Sequence, residues 1–240
     1  MFNSKEKDLF RHYNRDEKTS YSAKVITKLL IDIVNPSSVV DVGCGVGTFL
    51  KAFKQHGINN VLGLDSQKYV DLEYLKVNGN EFVNTNLEEP FKLRKKYDLA
   101  ITLEVAEHLN PKVANDFVTS LTRTSDVVCF SAAIPGQGGK GHVNEQWQEY
   151  WIELFEEHNY DMIDCIRPQI WYDQQVIDWY KMNTVLFVKS NTNAHKDIIS
   201  QDLKYGQIPS VVHPERFKKV VNQLKKEKRR IFPRIKNIFK

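Results

Sequence analysis

Residues 38 to 47 read Ser-Val-Val-Asp-Val-Gly-Cys-Gly-Val-Gly, an apolar run that ends in an acid and enters glycines at alternate positions before Thr48. This fixes a strand, a turn stripped of Cβ atoms and a helix start, in that order, and so the opening of a βαβ unit. Gly43, Gly45 and Gly47 let the backbone turn sharply and approach a ligand closely. Asp41, at the strand end, orients the loop or accepts from a ligand's ammonium group. A loop of this build suits a nucleotide-like cofactor.

A dinucleotide fingerprint spaces its glycines G-x-G-x-x-G, whereas here the third glycine comes one residue early and Thr48 stands where the last would be. A nicotinamide dinucleotide is therefore disfavoured, and the motif alone leaves open another nucleotide site or a purely structural loop. The D-x-G-x-G-x-G run resembles the class I S-adenosylmethionine (SAM) methyltransferases, whose cofactor has no pyrophosphate to seat on the helix N-terminus. The likeness continues in Asp65, at the end of Val61-Leu62-Gly63-Leu64-Asp65, and in Leu103-Glu104-Val105-Ala106-Glu107-His108-Leu109. It covers about residues 20 to 190.

Ala23, Ile26, Leu29, Leu30 and Ile33 recur at helical spacing, which predicts a covering helix over 21–34 stopped by Asn35-Pro36. Further helices are expected over 48–57, 112–124 and 144–158, and strands over 61–65, 81–86, 97–105, 126–134, 162–166 and 185–188. Alternation of strands and helices along the chain predicts an α/β fold, a mostly parallel sheet with helices on both faces and ligands at the carboxyl ends of its strands. The resemblance adds that the sheet is Rossmann-like and seven-stranded and closes in an antiparallel C-terminal hairpin, with residues 167 to 183 inserted into it. The expected organisation is an N-terminal helical cover or lid over 1–36, the methyltransferase domain over 37–190, a linker over 191–215 and a basic amphipathic tail over 216–240.

The net charge of +4 conceals an asymmetry. Residues 216 to 240 hold 11 Lys/Arg and one acid, which leaves 23 Lys/Arg against 29 acids, a net −6, in the first 215. An acidic body disfavours nucleic acid as the substrate. In the tail, Phe217, Val220, Val221, Leu224 and Ile231 recur among the basic residues, as in a helix that docks on an anionic membrane face or, equally, lies solvated. The start, MFNSKEKD, lacks the apolar stretch of a signal peptide, and no run reaches the ~20 apolar residues of a membrane span, so a cytoplasmic body is expected, peripheral to the membrane if the tail docks. Three cysteines in no ligand spacing give neither a disulfide framework nor a zinc motif, and no carboxylate and histidine cluster has metal-ligand spacing.

The resemblance implies SAM as cofactor, with S-adenosylhomocysteine (SAH) as its product, and contacts from Asp41, Gly43, Cys44, Gly45 and Gly47. Asp65 and Ser66 fall at the ribose; the other reading of Asp65 is an acid capping the turn. Asn86 and Leu87 fall where the family usually has an acid facing the adenine, and an asparagine carbonyl can accept the same hydrogen bond or serve only its own turn. Leu103 and Glu104 fall where backbone carbonyls face the methionyl ammonium. For a sugar hydroxyl as acceptor, a near-neutral base is needed, and His142 is favoured, with His108 and Glu107 assisting. Asn144 follows His142 in the loop, while Arg167, Trp171 and Tyr172, in the aromatic-rich stretch 167–180, form either a sugar platform or core. Tyr13 and Tyr21 belong to a lid or to a frayed terminus. Residues 142–160 resemble methyltransferases of bacterial surface-glycan pathways, so the expected reaction is O-methylation of a sugar or sugar phosphate in capsule polysaccharide synthesis. The alternatives are methylation of another small metabolite, or a non-catalytic SAM-binding regulatory subunit.

Overall fold

The computed structural model describes residues 17–205 and 211–236. Its elements run α1 (Glu17–Val34), β1 (Ser38–Val42), α2 (Thr48–Gln55), β2 (Asn60–Asp65), β3 (Phe82–Asn84), β4 (Leu99–Leu103), α3 (Ala114–Thr124) and β5 (Val127–Ser131). There follow α4 (Gln148–Glu156), β6 (Tyr160–Ile163), α5 (Arg167–Ile170), α6 (Asp178–Asn183), β7 (Val185–Lys189), α7 (Asn193–Ile199) and α8 (Pro214–Lys236). The strands form one seven-stranded sheet in the order β3-β2-β1-β4-β5-β7-β6. β7 is antiparallel to both β5 and β6, and the other pairings are parallel, which is the Rossmann-like sheet with the expected closing hairpin.

Side chains alternate across a strand, so each central strand feeds two cores. Val39 of β1 packs with Ala23, Ile26 and Leu30 of α1 and Leu50 and Phe53 of α2. Val40 and Val42 face the other way, onto Phe117, Val118 and Leu121 of α3 and Trp151 and Phe155 of α4. Phe155 stacks on Phe187 of β7 with ring centroids 3.8 Å apart. Each such buried side chain contributes about 1.5–3 kcal/mol, so the two-sided burial holds the sheet ends that carry the site.

Several boundaries differ from the periodicity. The helix expected over 144–158 begins only at Gln148, because the backbone N–H of Asn144 is drawn to Glu107 O (3.0 Å) and that of Gln146 to Ala133 O (3.2 Å). β6 starts at Tyr160, whose hydroxyl donates to the carbonyls of Thr122 and Ser125 at 2.9 and 2.8 Å. The segment 167–183 folds into α5 and α6, and the expected linker contains α7, capped by Thr192 Oγ1, which accepts from His195 N at 3.2 Å. The tail helix starts at Pro214 and runs across Pro233, and Lys219 Nζ binds Asp178 Oδ2 of α6 at 2.7 Å. Among the described residues, no helix is long and apolar enough to cross a membrane.

Candidate active site

A cavity of about 550 Å³ opens at the carboxyl ends of β1, β2 and β4, beneath the loop that follows β5. Its floor is the glycine turn. The backbone N–H groups of Gly43 and Cys44 donate to Leu64 O at 2.7 and 3.2 Å, which folds the turn back onto β2. Gly43 has φ +85°, and a Cβ on it would meet Val105 Cγ2 at 2.3 Å, so only glycine lets the turn lie this close to the segment after β4.

Asp65 closes this end. Its Oδ2 accepts from Gly45 N at 2.7 Å and its Oδ1 from Ser66 N at 2.6 Å, so the carboxylate both ties the glycine turn to β2 and keeps a further lone pair on each oxygen. Burial pushes it up to about 6 against those two hydrogen bonds, and burial with the Asp65 charge pushes Asp41 well above its ordinary range. Asp41, Cys44, Ser66, Asn86, Leu87, Leu103 and Glu104 line the cavity as expected, whereas Gly47 stands behind it as the left-handed N-cap of α2. Asn86 is committed to its own turn, accepting from Glu88 N at 3.2 Å and donating to Glu89 Oε1 at 2.8 Å.

The far wall is built from two carboxylates and two histidines. Glu104 has φ +56°, uncommon for a side-chain-bearing residue, and is pinned there by its N–H, which donates to Ser131 O and Oγ at 2.9 and 3.0 Å. Its oxygens accept from Gln137 Nε2 (2.8 Å) and Asn183 Nδ2 (3.0 Å). Glu107 is fully buried, and neither carboxylate oxygen has a hydrogen-bond partner. Burial first and the Glu104 charge second hold its carboxyl well above the usual range; the backbone N–H groups of Glu107 and Ala133 offset part of this without making a hydrogen bond.

His142 reaches this wall from the loop after β5, its ring edge-on to that of His108 with centroids 4.8 Å apart. Glu145 Oε1 holds His142 Nδ1 at 2.8 Å, and the same carboxylate accepts from Gly136 N and Gly138 N at 2.8 and 2.6 Å, which winds the loop around the histidine. His108 Nδ1 lies 3.3 Å from Gly141 O. Burial, reinforced by His142, lowers His108 to about 4, so its imidazole is neutral near pH 7. Residues without metal-ligand spacing along the chain are thus gathered by the fold, with ligand-capable atoms of Glu107, His108 and His142 all within 4.8 Å of one another.

Other expected acceptor residues lie elsewhere. Asn144 is buried behind the wall, its N–H on Glu107 O and its Nδ2 on Ala106 O at 3.4 Å, so it braces the loop rather than facing the cavity. Arg167 is buried in an ion pair, Nε to Asp164 Oδ1 at 2.9 Å and Nη2 to Oδ2 at 2.5 Å, with Nη1 on Met182 O at 3.1 Å. Trp171 packs on His213 with centroids 4.6 Å apart, Tyr172 is exposed, and Tyr21 donates to Asp173 Oδ2 at 3.3 Å; none of these is in the cavity lining. Tyr13 lies outside the described residues. The wall instead takes Trp179 and Tyr180 from the same aromatic stretch, together with Thr19, Phe49, Lys140 and Arg216. Arg216 Nε is buried without a hydrogen-bond partner, a signal that the basic composition of the tail hid.

Comparisons with known proteins agree with this geometry. A mitochondrial ubiquinone biosynthesis O-methyltransferase of Dictyostelium discoideum is 26% identical over 135 residues, 50% of this chain and 42% of that protein, so the chain spans about two fifths of that relative's length. Among solved structures, the magnesium protoporphyrin IX methyltransferase of Synechocystis PCC 6803 with bound SAM superposes with a TM-score of 0.55 at 19% identity, covering 79% of this chain and 93% of that one. DesVI of Streptomyces venezuelae does so with a TM-score of 0.53 at 14% identity, covering 76% and 98%. These distant structures show the fold. A cradle that only glycine can form, and an acid with lone pairs for two hydroxyls, fit SAM as the cofactor. Residues 10–164 match the methyltransferase domain model, and the chain belongs to that family of SAM-dependent enzymes.

Proposed function

We propose that the protein methylates a hydroxyl of a small, polar, sugar-like acceptor, a sugar or sugar phosphate of capsule or other surface-polysaccharide synthesis. The observation that carries this reading is the His108–His142 pair at the acceptor end of the cavity, beside Trp179 and Tyr180 and the cationic Lys140 and Arg216. Aromatic faces suit a pyranose ring, and a guanidinium suits a phosphate.

SAM, when bound, supplies a methyl group on a sulfonium that is open to in-line attack. Asp65 would accept the ribose hydroxyls, Asp41 would face the ammonium, and Asn86 and Leu87 would flank the base. Glu104, locked by Gln137 and Asn183, fixes the segment that separates cofactor from acceptor. His142 receives the hydroxyl proton at Nε2, because the carboxylate of Glu145 on Nδ1 sets the tautomer and orients the ring. With cofactor and acceptor seated, the cavity would align the reactants and displace water, which is most of what this transfer requires.

The tail belongs to the same reading. α8 starts at the cavity wall with Arg216 and presents exposed Phe217 and Leu224 among its lysines, an arrangement for docking on an anionic membrane where lipid-linked glycans are assembled. The test is label transfer from tritiated SAM to a panel of nucleotide sugars and capsular fragments, run beside phenolic acceptors and RNA. Labelled sugar supports the proposal. Label only in a phenol or RNA replaces the acceptor, and SAM binding with no labelled product from any acceptor makes the protein a binding subunit.

A further inference from the structure

We propose that Glu107, His108 and His142 form a binding site for one first-row divalent metal ion at the acceptor end of the cavity. The three side chains come from two segments, the turn after β4 and the loop after β5, yet their ligand-capable atoms all lie within 4.8 Å of one another. Small side-chain rotations close such a triad to metal bonds of ~2.0–2.2 Å.

The independent observation is Glu107. A carboxylate that is fully buried is expected to have its oxygens satisfied, because leaving them bare forfeits hydration with no return. Here both oxygens lack a hydrogen-bond partner. Neighbouring Glu104 is a second buried carboxyl whose oxygens already accept from Gln137 and Asn183, so the two acids can meet only across a proton or a cation. A cation can take the place of that proton, and the groups at hand that can fix one beside Glu107 are the imidazoles.

The surroundings of the imidazoles support the same assignment. Metal-binding histidines are commonly oriented by a carboxylate or a backbone carbonyl on the second ring nitrogen. His142 Nδ1 has the carboxylate of Glu145 at 2.8 Å, and His108 Nδ1 has the carbonyl of Gly141 at 3.3 Å. Glu107 O in turn accepts from Val143 N and Asn144 N at 2.9 and 3.0 Å, which locks the loop that carries His142 to the turn that carries the other two. Two nitrogens and one carboxylate oxygen select manganese, iron, cobalt or zinc over magnesium and calcium. A three-ligand set leaves positions open for the acceptor's hydroxyl oxygen, whose pKa the ion lowers.

The inference rests on the proposed reaction and changes one step of it. With the ion seated, His142 is a ligand and the hydroxyl proton passes to water; without it, His142 takes the proton. The experiment uses full-length protein stripped with EDTA and titrated with manganese, free ion being read by electron paramagnetic resonance, while SAH binding is measured by calorimetry on the same samples. The expected result is one manganese per chain, binding at least about 100-fold weaker in Glu107→Gln and His108→Gln, and SAH affinity retained in both variants and in EDTA. Absence of manganese, cobalt and zinc binding at millimolar concentration, or binding that both variants leave intact, overturns the site and identifies Glu107 as a carboxyl that keeps its proton. Loss of SAH binding in the unmodified protein is a different failure, that of the methyltransferase reading itself.

Discussion

A Cβ built on Gly139 would lie 2.1 Å from Nε2 of His142, so the imidazole occupies space that only glycine leaves open. The loop after β5 is therefore shaped around this one side chain. Gly139→Ala must push His142 off the acceptor wall while leaving the glycine turn after β1 untouched. Turnover should fall by about 100-fold, the scale of a misplaced reacting group, with SAH affinity unchanged in calorimetry. An equal loss in both would mean the loop supports the cofactor instead.

Asp65 should control cofactor binding through its charge. Asp65→Asn keeps the shape but removes two charge-assisted hydrogen bonds, and should weaken SAM by about 1.5–3 kcal/mol. Asp65→Ala should weaken it further, since it releases both Gly45 N and Ser66 N, of which the single carbonyl oxygen of asparagine still serves one. Affinity that both variants leave alone would move the ribose elsewhere.

The pH dependence follows from the same group. With Asp65 at about 6, SAM affinity should rise as pH rises through 6 and level off above it, losing up to about tenfold per unit on the acid side. Stability without cofactor moves in the opposite direction. The folded state holds the Asp65 proton more tightly than the unfolded chain, whose ordinary value is 3.8, so this contribution is present below about 4 and is lost as pH rises through 6. Calorimetric titrations and thermal melts between pH 4 and 8 read the two trends, and parallel trends would contradict the assignment.

Arg167 should matter to folding and not to the acceptor. Arg167→Leu leaves Asp164 as an unpaired buried charge, at a cost of about 3–5 kcal/mol in chemical denaturation. KM for the acceptor in the surviving folded fraction should be unchanged; a raised KM with intact stability would return Arg167 to the substrate.

Membrane docking should follow the exposed stripe of α8. Full-length protein should sediment with anionic vesicles at low salt and less at high salt, at ~1 kcal/mol per basic residue near the surface. Phe217→Ser with Leu224→Ser, or a chain ending at Glu215, should bind less. Equal sedimentation by all three would remove the membrane reading.

The glycine turn, Asp65 and the alternation of strands with helices were legible along the chain because each is local. A positive-φ turn needs glycine where it occurs, a ribose acid needs a strand end, and burial on one face or two writes its period into neighbouring residues. Local periodicity also carried the two strands of the closing hairpin, although the start of β6 was decided by the distant carbonyls that Tyr160 reaches.

The packing of the acceptor wall was decided only by the tertiary structure. That His108 and His142 follow neighbouring strands and share a cleft was legible, but not that their rings meet edge-on with centroids 4.8 Å apart beside a bare Glu107. Arg167 and Arg216 looked alike as basic side chains, yet Asp164 neutralises the first within the core while the second has its Nε buried at the cavity without a partner. Glu104 and Glu107, one helical turn apart on paper, were separated into a pinned anchor and a bare carboxylate by Gln137 and Asn183. The chain specifies which residues can do chemistry, and packing between distant segments specifies which of them share a wall, because burial and pairing are set by neighbours that the linear order does not name.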